Sequence, residues 1–332
     1  MRTRERVVFA MVIIAGLTTT SVLTSATALG ATRVQAVVTV STAAQLTQAL
    51  SAVNPGDTIQ LAANTTFTGQ FKATRSGTAA QRITLTGPRS AVIKGTGGRT
   101  FELTGSNWTI AGFRITGGQK GLMALGVRNT EVRSLRVDGI GHEAIHFQHG
   151  SSDNVVRDSE IANTGLEYAG YGEGVYFGSA VSNWPGGTTD RSDRNRALNN
   201  KFGPNVRAEA IDIKEGTTGG EISGNTFDGT GMTGEHYADS WIDLKGNGYR
   251  VTGNTGRKVF VGNRTYGGFE VHEQLAGWGR DNTFAGNTAD VQSQYAYGFY
   301  LHKTNSGNRV CASNRVTGAG KGFSNVTATA GC

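Results

Sequence analysis

Three pairs of titratable residues recur in the second half of the sequence, and one aliphatic residue separates the two members of each pair. The pairs are Asp212 with Lys214, Asp243 with Lys245, and Glu270 with His272. Carboxylates, ammonium groups and imidazoles are the side chains that transfer protons and stabilise developing charge in active sites. Because residues i and i+2 of a β-strand point to the same side, the members of each pair are expected to share one face of a strand.

The segments that hold these pairs are copies of one short pattern, apolar–x–apolar–x, whose consecutive starts lie 22 to 36 residues apart. The copies start at Phe101, Met123, Ile145, Val175, Ile211, Ile242, Phe269 and Phe299. A second strand-like segment follows in several units and ends near a turn-favouring asparagine, at Asn225, Asn254 and Asn287. Since like strands return only after a whole unit, stacked parallel coils are predicted rather than antiparallel hairpins. The predicted fold class is therefore all-β, a parallel β-helix or solenoid.

Stacking the copies with their apolar residues inward places the other residues in two outward columns. The first column reads Glu102, Ala124, His146, Tyr176, Asp212, Asp243, Glu270 and Tyr300. The second reads Thr104, Gly126, Gln148, Gly178, Lys214, Lys245, His272 and His302. Neighbouring coils lie about 4.8 Å apart, so the acids, lysines and histidines of the last coils are expected to crowd one exposed face. This face is either a functional groove or a solvated sheet whose charges pair across strands.

Long connections flank the same coils at residues 179–208, 228–240 and 273–281. Insertions on one side of a solenoid build binding walls, and tryptophan and tyrosine rings offer flat faces on which sugars stack. The predicted substrate-binding residues are His146, Tyr176, Trp184, His236, Tyr237, Trp278, Tyr300 and His302.

Residues 1–36 are predicted to be a signal peptide with a short leader, followed by a single domain over residues 37–332. Three arginines, an apolar stretch over residues 7–17 and small residues at 26–28 have the order of a secretory signal. The protein is therefore expected to be secreted and extracellular, and no later stretch is apolar and long enough to cross a membrane. Outside the cell, Cys311 and Cys332 are expected to form a disulfide.

A capping helix is predicted directly after the leader, because polar residues that start helices precede an apolar face and a Pro-Gly stop. These are Ser41 and Thr42, then Leu46, Leu50 and Val53, then Pro55 and Gly56. A helix over the open end would protect the apolar core of the coils from water. The first strand is expected to follow at residues 57–61.

The formal net charge of +7 is mild for a chain of 332 residues. No basic stripe or basic helix accompanies it, so the charge does not indicate a nucleic-acid partner. An anionic polysaccharide is the expected partner, with neither nucleic acid nor membrane, and the protein is expected to be a monomer.

The chain resembles the pectin-lyase-like right-handed parallel β-helix superfamily. Its opening, the segment Gly56-Asp57-Thr58-Ile59-Gln60-Leu61 followed by Ser76-Gly77-Thr78 and Ile83-Thr84-Leu85-Thr86-Gly87, is similar to the N-terminus of the alginate lyase and chondroitinase B group of polysaccharide lyases. That group carries a glutamate five residues before a catalytic lysine, the spacing of Glu209 and Lys214. It also carries a catalytic arginine in a setting like Leu244-Lys245-Gly246-Asn247, where this chain has lysine. The group's Ca²⁺-binding Glu-x-Glu pair is matched only at Glu209, because the other position is Arg207.

The resemblance implies cleavage of a uronate-containing polymer by β-elimination. Such a lyase removes the proton beside a uronate carboxylate and expels the 4-linked sugar, which requires a base and a cation that neutralises the carboxylate. Lys214 is expected to be the base if its surroundings lower its pKa, and Lys245 to hold the carboxylate or the enolate. The predicted catalytic residues are Lys214, Lys245, Asp243, Glu270 and His272. Glu209 and Asp212 are the expected ligands of a Ca²⁺ ion, the one cofactor considered.

Two other functions fit parts of the same pattern. The clustered acids Asp212, Asp243 and Glu270 would suit a glycoside hydrolase of the polygalacturonase type. A glycan-binding or cell-surface β-helix protein without catalysis would use the aromatic loops alone.

Overall fold

Three long parallel sheets wrap around one apolar core in this computed structural model, which describes residues 34–259, 266–304 and 306–332. Each coil of the chain contributes one strand to each sheet in turn, and each strand pairs in parallel with its counterpart one coil away. The protein is thus an all-β parallel β-solenoid of about ten coils, and this confirms the predicted fold class. The right-handed sense of the coil stays a prediction.

The strands are numbered β1 to β31 in chain order. Sheet A contains β1 Val37–Val40, β2 Thr58–Leu61, β5 Ile83–Thr86, β8 Trp108–Ala111, β11 Glu131–Arg133, β14 Val155–Arg157, β17 Arg196–Leu198, β20 Glu221–Ser223, β23 Arg250–Thr252, β26 Thr283–Ala285 and β29 Arg309–Val310. Sheet B contains β3 Thr66–Thr68, β6 Val92–Gly95, β9 Arg114–Gly117, β12 Arg136–Asp138, β15 Glu160–Ala162, β18 Lys201–Phe202, β21 Thr226–Asp228, β24 Thr255–Arg257, β27 Thr288–Ser293 and β30 Arg315–Ala319. Sheet C contains β4 Phe71–Ala73, β7 Arg99–Leu103, β10 Lys120–Leu125, β13 Ile145–Gln148, β16 Val175–Phe177, β19 Ile211–Ile213, β22 Ile242–Leu244, β25 Gly267–Val271, β28 Tyr297–Leu301 and β31 Gly322–Ser324.

The first coil includes the predicted helix, α1 Ala43–Ala52. The Thr42 hydroxyl accepts the backbone N–H of Gln45 and so caps the helix, as its sequence position indicates. Leu46 and Leu50 are buried, and α1 contacts strands β1 to β4. The predicted first strand is β2, but β1 precedes the helix and pairs with it, so sheet A starts one strand earlier than expected.

Sheet C carries the repeated apolar–x–apolar pattern, and its inward residues form a continuous stack. Phe101, Leu122, Ile145, Val175, Ile211, Ile242, Phe269 and Phe299 are all buried and paired coil by coil. One copy was predicted in the wrong register, because β10 places Met123 rather than Ala124 opposite Glu102 and His146. Its Leu122 and Ala124 fill the core, and since side chains alternate, the one-residue error exchanged the two faces of that strand.

Sheets A and B meet at a ladder of buried asparagines. The side-chain Oδ1 atom of each asparagine accepts a hydrogen bond of 2.9 Å from the backbone N–H of the asparagine one coil earlier. The accepting residues are Asn225, Asn254, Asn287 and Asn314. The predicted second segment of each unit is therefore two strands with a corner at the asparagine, such as β20 and β21. Each coil has three strands where two were predicted, because apolar alternation continues through the corner and conceals it.

Short 3₁₀ turns lie in the connections that enter or leave the strands of sheet C. They are Ala169–Tyr171, Val181–Asn183, Pro185–Gly187 and Glu235–Tyr237. At the C-terminus the predicted disulfide joins Cys311 to Cys332. The predicted signal peptide lies almost entirely at residues 1–33, outside the described residues. Within the described part of the chain, no helix is both long and apolar enough to span a membrane.

Candidate active site

A cleft of about 990 Å³ lies over the outer face of sheet C, and the charged columns form its floor. Register pairs Tyr176 with Asp212, Asp212 with Asp243, and Asp243 with Glu270 on successive strands, as the sequence predicts. The expectation that this face is exposed is wrong, because Asp212 is 1 % exposed, Asp243 4 % and Glu270 0 %. Residues 179–183 and 236–237 line the same cleft and contribute to its walls. The floor is therefore a buried charged surface within a groove.

Two lysines converge on one aspartate at the centre of the floor. The Lys214 Nζ atom lies 2.6 Å from Oδ2 of Asp212, and the Lys245 Nζ atom lies 2.9 Å from its Oδ1. Lys245 also contacts Oδ2 of Asp243 at 2.5 Å. Gly178 occupies the second column beside Lys214 and adds no side chain there. Both ammonium groups are thus fixed next to each other with carboxylates behind them.

The pKa of Lys214 departs from its ordinary value in the direction opposite to the one expected. Burial opposes the charged form, but the carboxylates of Asp212 and Glu209 outweigh burial and raise the pKa of Lys214. The same balance, with Asp212 and Asp243 as the partners, raises the pKa of Lys245. The expectation that the surroundings lower the pKa of Lys214 is therefore wrong, because both lysines are ion-paired and stay ammonium ions at neutral pH.

Tyr176 lies directly against Lys214, with the Lys214 Nζ atom 5.0 Å from the centre of its ring. Burial, and then the charge of Asp212, raise the pKa of the Tyr176 phenol well above its ordinary value, so the phenol keeps its proton. The ring of His146 also packs against Tyr176, with centroids 4.1 Å apart, and His146 Nε2 is 2.8 Å from the carbonyl oxygen of Gly178. His146, predicted to bind substrate, thus also supports Tyr176.

A third column of acids was not predicted as a column, and only its member Glu209 was singled out in the sequence, as a Ca²⁺ ligand. Glu143, Glu173 and Glu209 each stand two residues before the first apolar residue of β13, β16 and β19, and all three line the cleft. Burial, and then the charge of Glu143, raise the pKa of Glu173 to about 8, and one of its oxygens has no hydrogen-bond partner. Burial and Asp212 raise the pKa of Glu209. The repeated acid two positions before the apolar pattern was the signal that could have revealed this column.

The far end of the floor is a chain of hydrogen-bonded acids and histidines. His272 Nδ1 lies 2.6 Å from Oδ1 of Asp243, and His302 Nε2 lies 3.1 Å from Oε2 of Glu270. Burial opposes ionisation of Asp243, but His272 and then Lys245 lower its pKa below the ordinary range. Burial raises the pKa of Glu270 to about 8. Catalytic candidates Asp243, Glu270 and His272 therefore meet, as predicted, in one network.

Aromatic residues from two connections form one wall of the cleft. The Tyr168 hydroxyl is 2.5 Å from His236 Nε2, and the Tyr171 ring lies 5.3 Å from that of His236. Tyr237 is 66 % exposed beside them. His236 and Tyr237 were predicted to bind substrate and do line the cleft, whereas Tyr168 and Tyr171 were not singled out.

Solved structures similar to this chain include polysaccharide lyases. The crystal structure of alginate lyase from Paenibacillus sp. str. FPU-7 is 39 % identical, covers 89 % of this chain and 99 % of its own, and has a TM-score of 0.81. The chain belongs to the same family of pectin-lyase-like β-helix polysaccharide lyases. The chain is also similar to pectate lyase Pel9A, at 18 % identity over 86 % of this chain and 78 % of the other, with a TM-score of 0.56. This second similarity is one of fold alone. No protein-family profile and no curated protein sequence matches it.

The strand carboxylates on the floor of the cleft are paired with cationic or imidazole side chains, which does not suit a hydrolase. Asp212 is occupied by two lysines, Asp243 by Lys245 and His272, and Glu270 by His302. A hydrolase needs one carboxylate free to act on the sugar or on a water. The family is one of lyases, so the comparison favours elimination over the hydrolase and the non-catalytic alternatives, and the paired cations agree with lyase chemistry.

Three aromatic residues predicted to bind substrate do not line the cleft of the lyase. The Trp184 indole N–H donates to the carbonyl oxygen of Ser179 at 2.8 Å, which fixes the loop instead. Tyr300 stacks on Tyr266 at 4.9 Å. Trp278 stands in a turn where its backbone N–H donates to Leu275. His302, by contrast, does line the cleft.

The residues expected to bind Ca²⁺ lie together with a third acid, but two lysines already pair with one of them. Glu209, Asp212 and Glu173 place carboxylate oxygens within 4.8 Å of one another. Glu173 is thus a third acid in this group, although Arg207 replaces the second glutamate of the family's Glu-x-Glu pair. Both oxygens of Asp212, however, already accept lysine ammonium groups at 2.6 and 2.9 Å. A Ca²⁺ ion bound to Asp212 would face two positive charges at close range, and Coulomb repulsion opposes that arrangement.

Proposed function

We propose that the chain is a secreted lyase that cleaves alginate, a 4-linked polymer of uronates, by β-elimination. The observation that carries this proposal is the pair of lysine ammonium groups held side by side on Asp212 at the floor of a cleft. Fixed cations of this kind neutralise the carboxylate of a bound uronate and so make the neighbouring proton easier to remove. The similar enzyme at 39 % identity is an alginate lyase, which favours alginate over other uronate polymers.

In the proposed reaction Lys245 is the cation that holds the carboxylate. Lys245 contacts Asp212 and Asp243 together, so its position is fixed from two sides. When the proton beside the carboxylate leaves, negative charge moves onto the carboxylate oxygens, and a fixed ammonium group stabilises that charge without reorganisation.

Lys214 and Tyr176 are the proposed proton-transferring pair. The Lys214 side chain is 15 % exposed against 9 % for Lys245, and it contacts one carboxylate rather than two, so it is the lysine more available to substrate. In its amine form Lys214 takes the proton beside the carboxylate, the C4–O4 bond breaks, and Tyr176 gives its proton to the departing oxygen. The raised pKa of Tyr176 keeps that proton in place until it is needed.

The activity of the enzyme is expected to rise with pH through the neutral and mildly alkaline range. Only the amine form of Lys214 accepts a proton, and its raised pKa means that this form is scarce at neutral pH. Below that pKa the amine fraction grows about tenfold per pH unit, so kcat/KM should rise with a slope near one on logarithmic axes. The measurement is kcat/KM against pH at constant ionic strength. A flat profile over this range would show that the base is already unprotonated at neutral pH.

Elimination is expected to proceed without Ca²⁺, because lysines occupy the oxygens of Asp212 that the ion would need. Enzyme freed of metal with a chelator should be as active as enzyme supplied with about 1 mM Ca²⁺, a concentration that fills extracellular Ca²⁺ sites. Recovery of activity only on addition of Ca²⁺ would contradict the assigned roles of the lysines.

The polymer is tested by mixing the enzyme with alginate, polygalacturonate and glycosaminoglycans separately. Elimination leaves an unsaturated uronate whose ultraviolet absorbance rises as bonds break, and alginate should give the fastest rise. A faster rise on another polymer would overturn the proposed substrate, and new reducing ends without absorbance would overturn the reaction.

Export of the protein is proposed on two grounds. The arginines and apolar stretch at the N-terminus have the pattern of a secretory signal. The Cys311–Cys332 disulfide is of a kind that persists in oxidising surroundings.

A further inference from the structure

One carboxylate and two imidazoles converge at the far end of the cleft floor. Oε2 of Glu270 lies 3.1 Å from His302 Nε2 and 3.8 Å from His272 Nε2. One donor atom of each residue lies within 4.8 Å of the other two, and the imidazole rings are stacked with centroids 3.4 Å apart. Three donors of the types that bind metals therefore lie close together.

The residues around Glu270, His272 and His302 hydrogen-bond to other atoms of this triad and leave one donor atom of His272 and one of Glu270 for a ligand. Asp243 accepts from His272 Nδ1 at 2.6 Å, which places the proton on Nδ1 and the lone pair on Nε2. The other oxygen of Glu270 accepts the backbone N–H of Gly267 at 2.7 Å, which leaves Oε2 facing the histidines. A carboxylate behind a histidine is the usual support of a metal-binding imidazole.

We propose that Glu270, His272 and His302 form a binding site for one divalent transition-metal ion, with Zn²⁺ as the expected occupant. Two nitrogens and one carboxylate oxygen suit Zn²⁺, Co²⁺ or Ni²⁺, whereas Ca²⁺ and Mg²⁺ take oxygen ligands. Ligand atoms about 2.1 Å from a tetrahedral Zn²⁺ lie about 3.4 Å apart. The separations of 3.1 and 3.8 Å bracket that value.

The ion would keep an open side toward the cleft. His272 and His302 line the cleft, while Glu270 is wholly buried behind them. The remaining coordination positions therefore face the groove, where a water or an anionic oxygen of a bound chain can occupy them. Asp243 joins the ion's position to Lys245, because it contacts both His272 and Lys245.

This site is separate from the proposed elimination chemistry, which uses Lys214, Tyr176 and Lys245. Its test is therefore metal binding and not activity, and neither result depends on the identity of the polymer.

The test uses the full chain without a histidine tag, freed of metal and titrated with Co²⁺. Bound Co²⁺ in a nitrogen and oxygen site gives visible absorption bands, and elemental analysis after gel filtration gives the number of ions. One Co²⁺ per chain is expected, and Zn²⁺ should displace it and abolish the bands. His302→Gln should weaken binding by about tenfold or more, and Asp243→Asn by about 10–100-fold through loss of its support of His272.

The matched control is His142→Gln, a histidine that lines the same cleft outside the triad. It should bind Co²⁺ as the unaltered chain does. The proposal is overturned if the unaltered chain retains no Co²⁺, or if His302→Gln binds it equally well while its circular dichroism shows the native fold. Either result would mean that the triad is a hydrogen-bonded network without a metal.

Discussion

Replacement of Lys214 by alanine is expected to reduce kcat/KM on alginate by about 10²–10⁴-fold, the usual contribution of a positioned proton-transfer group. Lys214 lies 2.6 Å from Asp212 and 5.0 Å from the Tyr176 ring centre, and the base role is proposed for it alone. Asp212 keeps Lys245 as a partner in the variant, so the carboxylate is not left unpaired. The rise in ultraviolet absorbance gives the rate, and thermal unfolding by circular dichroism checks the fold.

Lys214→Arg separates the two roles that a lysine can play at this position. Arginine keeps a positive charge but does not lose its proton in proteins, so it can neutralise a carboxylate and cannot act as a base. The arginine variant should therefore be as inactive as the alanine variant. Lys201→Ala, on the exposed outer face of sheet B, is the control and should be fully active. Substantial activity of the arginine variant would assign Lys214 a purely electrostatic role.

The position of the charged columns was predictable because alternation and burial fix the register of a strand. Placing Ile211, Ile213 and Ile242 inward leaves Asp212 and Asp243 on the outer face, and the strands pair in that way. The pattern failed at β10, where Leu122, Met123, Ala124 and Leu125 are all apolar. With no polar residue to mark the outer face, two registers one residue apart look equally good.

The burial of the floor and the direction of the lysine pKa shifts were not predictable. Both depend on distances that a single sequence does not contain. An aspartate and a lysine at positions 212 and 214 can form an exposed pair or a buried ion pair. The structure has the buried pair at 2.6 Å, and only a buried pair raises the lysine pKa. The connections that line the cleft, such as residues 179–183, decide between these cases, and their irregular backbone has no periodic signal.

The column formed by Glu143, Glu173 and Glu209 could not be predicted from the strand residues alone. Each residue lies just before its strand and is therefore not one of the outward strand positions. The parallel register nevertheless also aligns the residues just before the strands, because Ile145, Val175 and Ile211 are aligned. In a solenoid, residues at a fixed distance from an aligned position stack as well, and this extends the search for functional residues into the corners.

Replacement of Asp212 by asparagine is expected to lower the free energy of unfolding by about 3–5 kcal/mol, the usual cost of breaking a buried ion pair. Asp212 is 1 % exposed and accepts both Lys214 and Lys245, so the neutral amide would leave two buried ammonium groups with less compensation. Because the folded state raises the pKa of both lysines, their pairing stabilises the protein below the ordinary lysine pKa and is lost only as pH rises through the raised values. The loss in the variant should therefore be constant across neutral pH, as measured by urea unfolding.

The same substitution should also change the pH dependence of any remaining activity. Asp212 makes the largest contribution among the charges that raise the pKa of Lys214, so its removal lets that pKa fall and makes the amine form more abundant. The rise of kcat/KM with pH should then begin at lower pH than in the unaltered enzyme. Asp228→Asn is the matched control, since its partner Arg257 is largely exposed and a surface pair contributes at most about 1 kcal/mol. Equal destabilisation by the two substitutions, with an unchanged pH profile, would mean that the lysines do not depend on Asp212 and that the buried ion-pair centre is not the basis of the site.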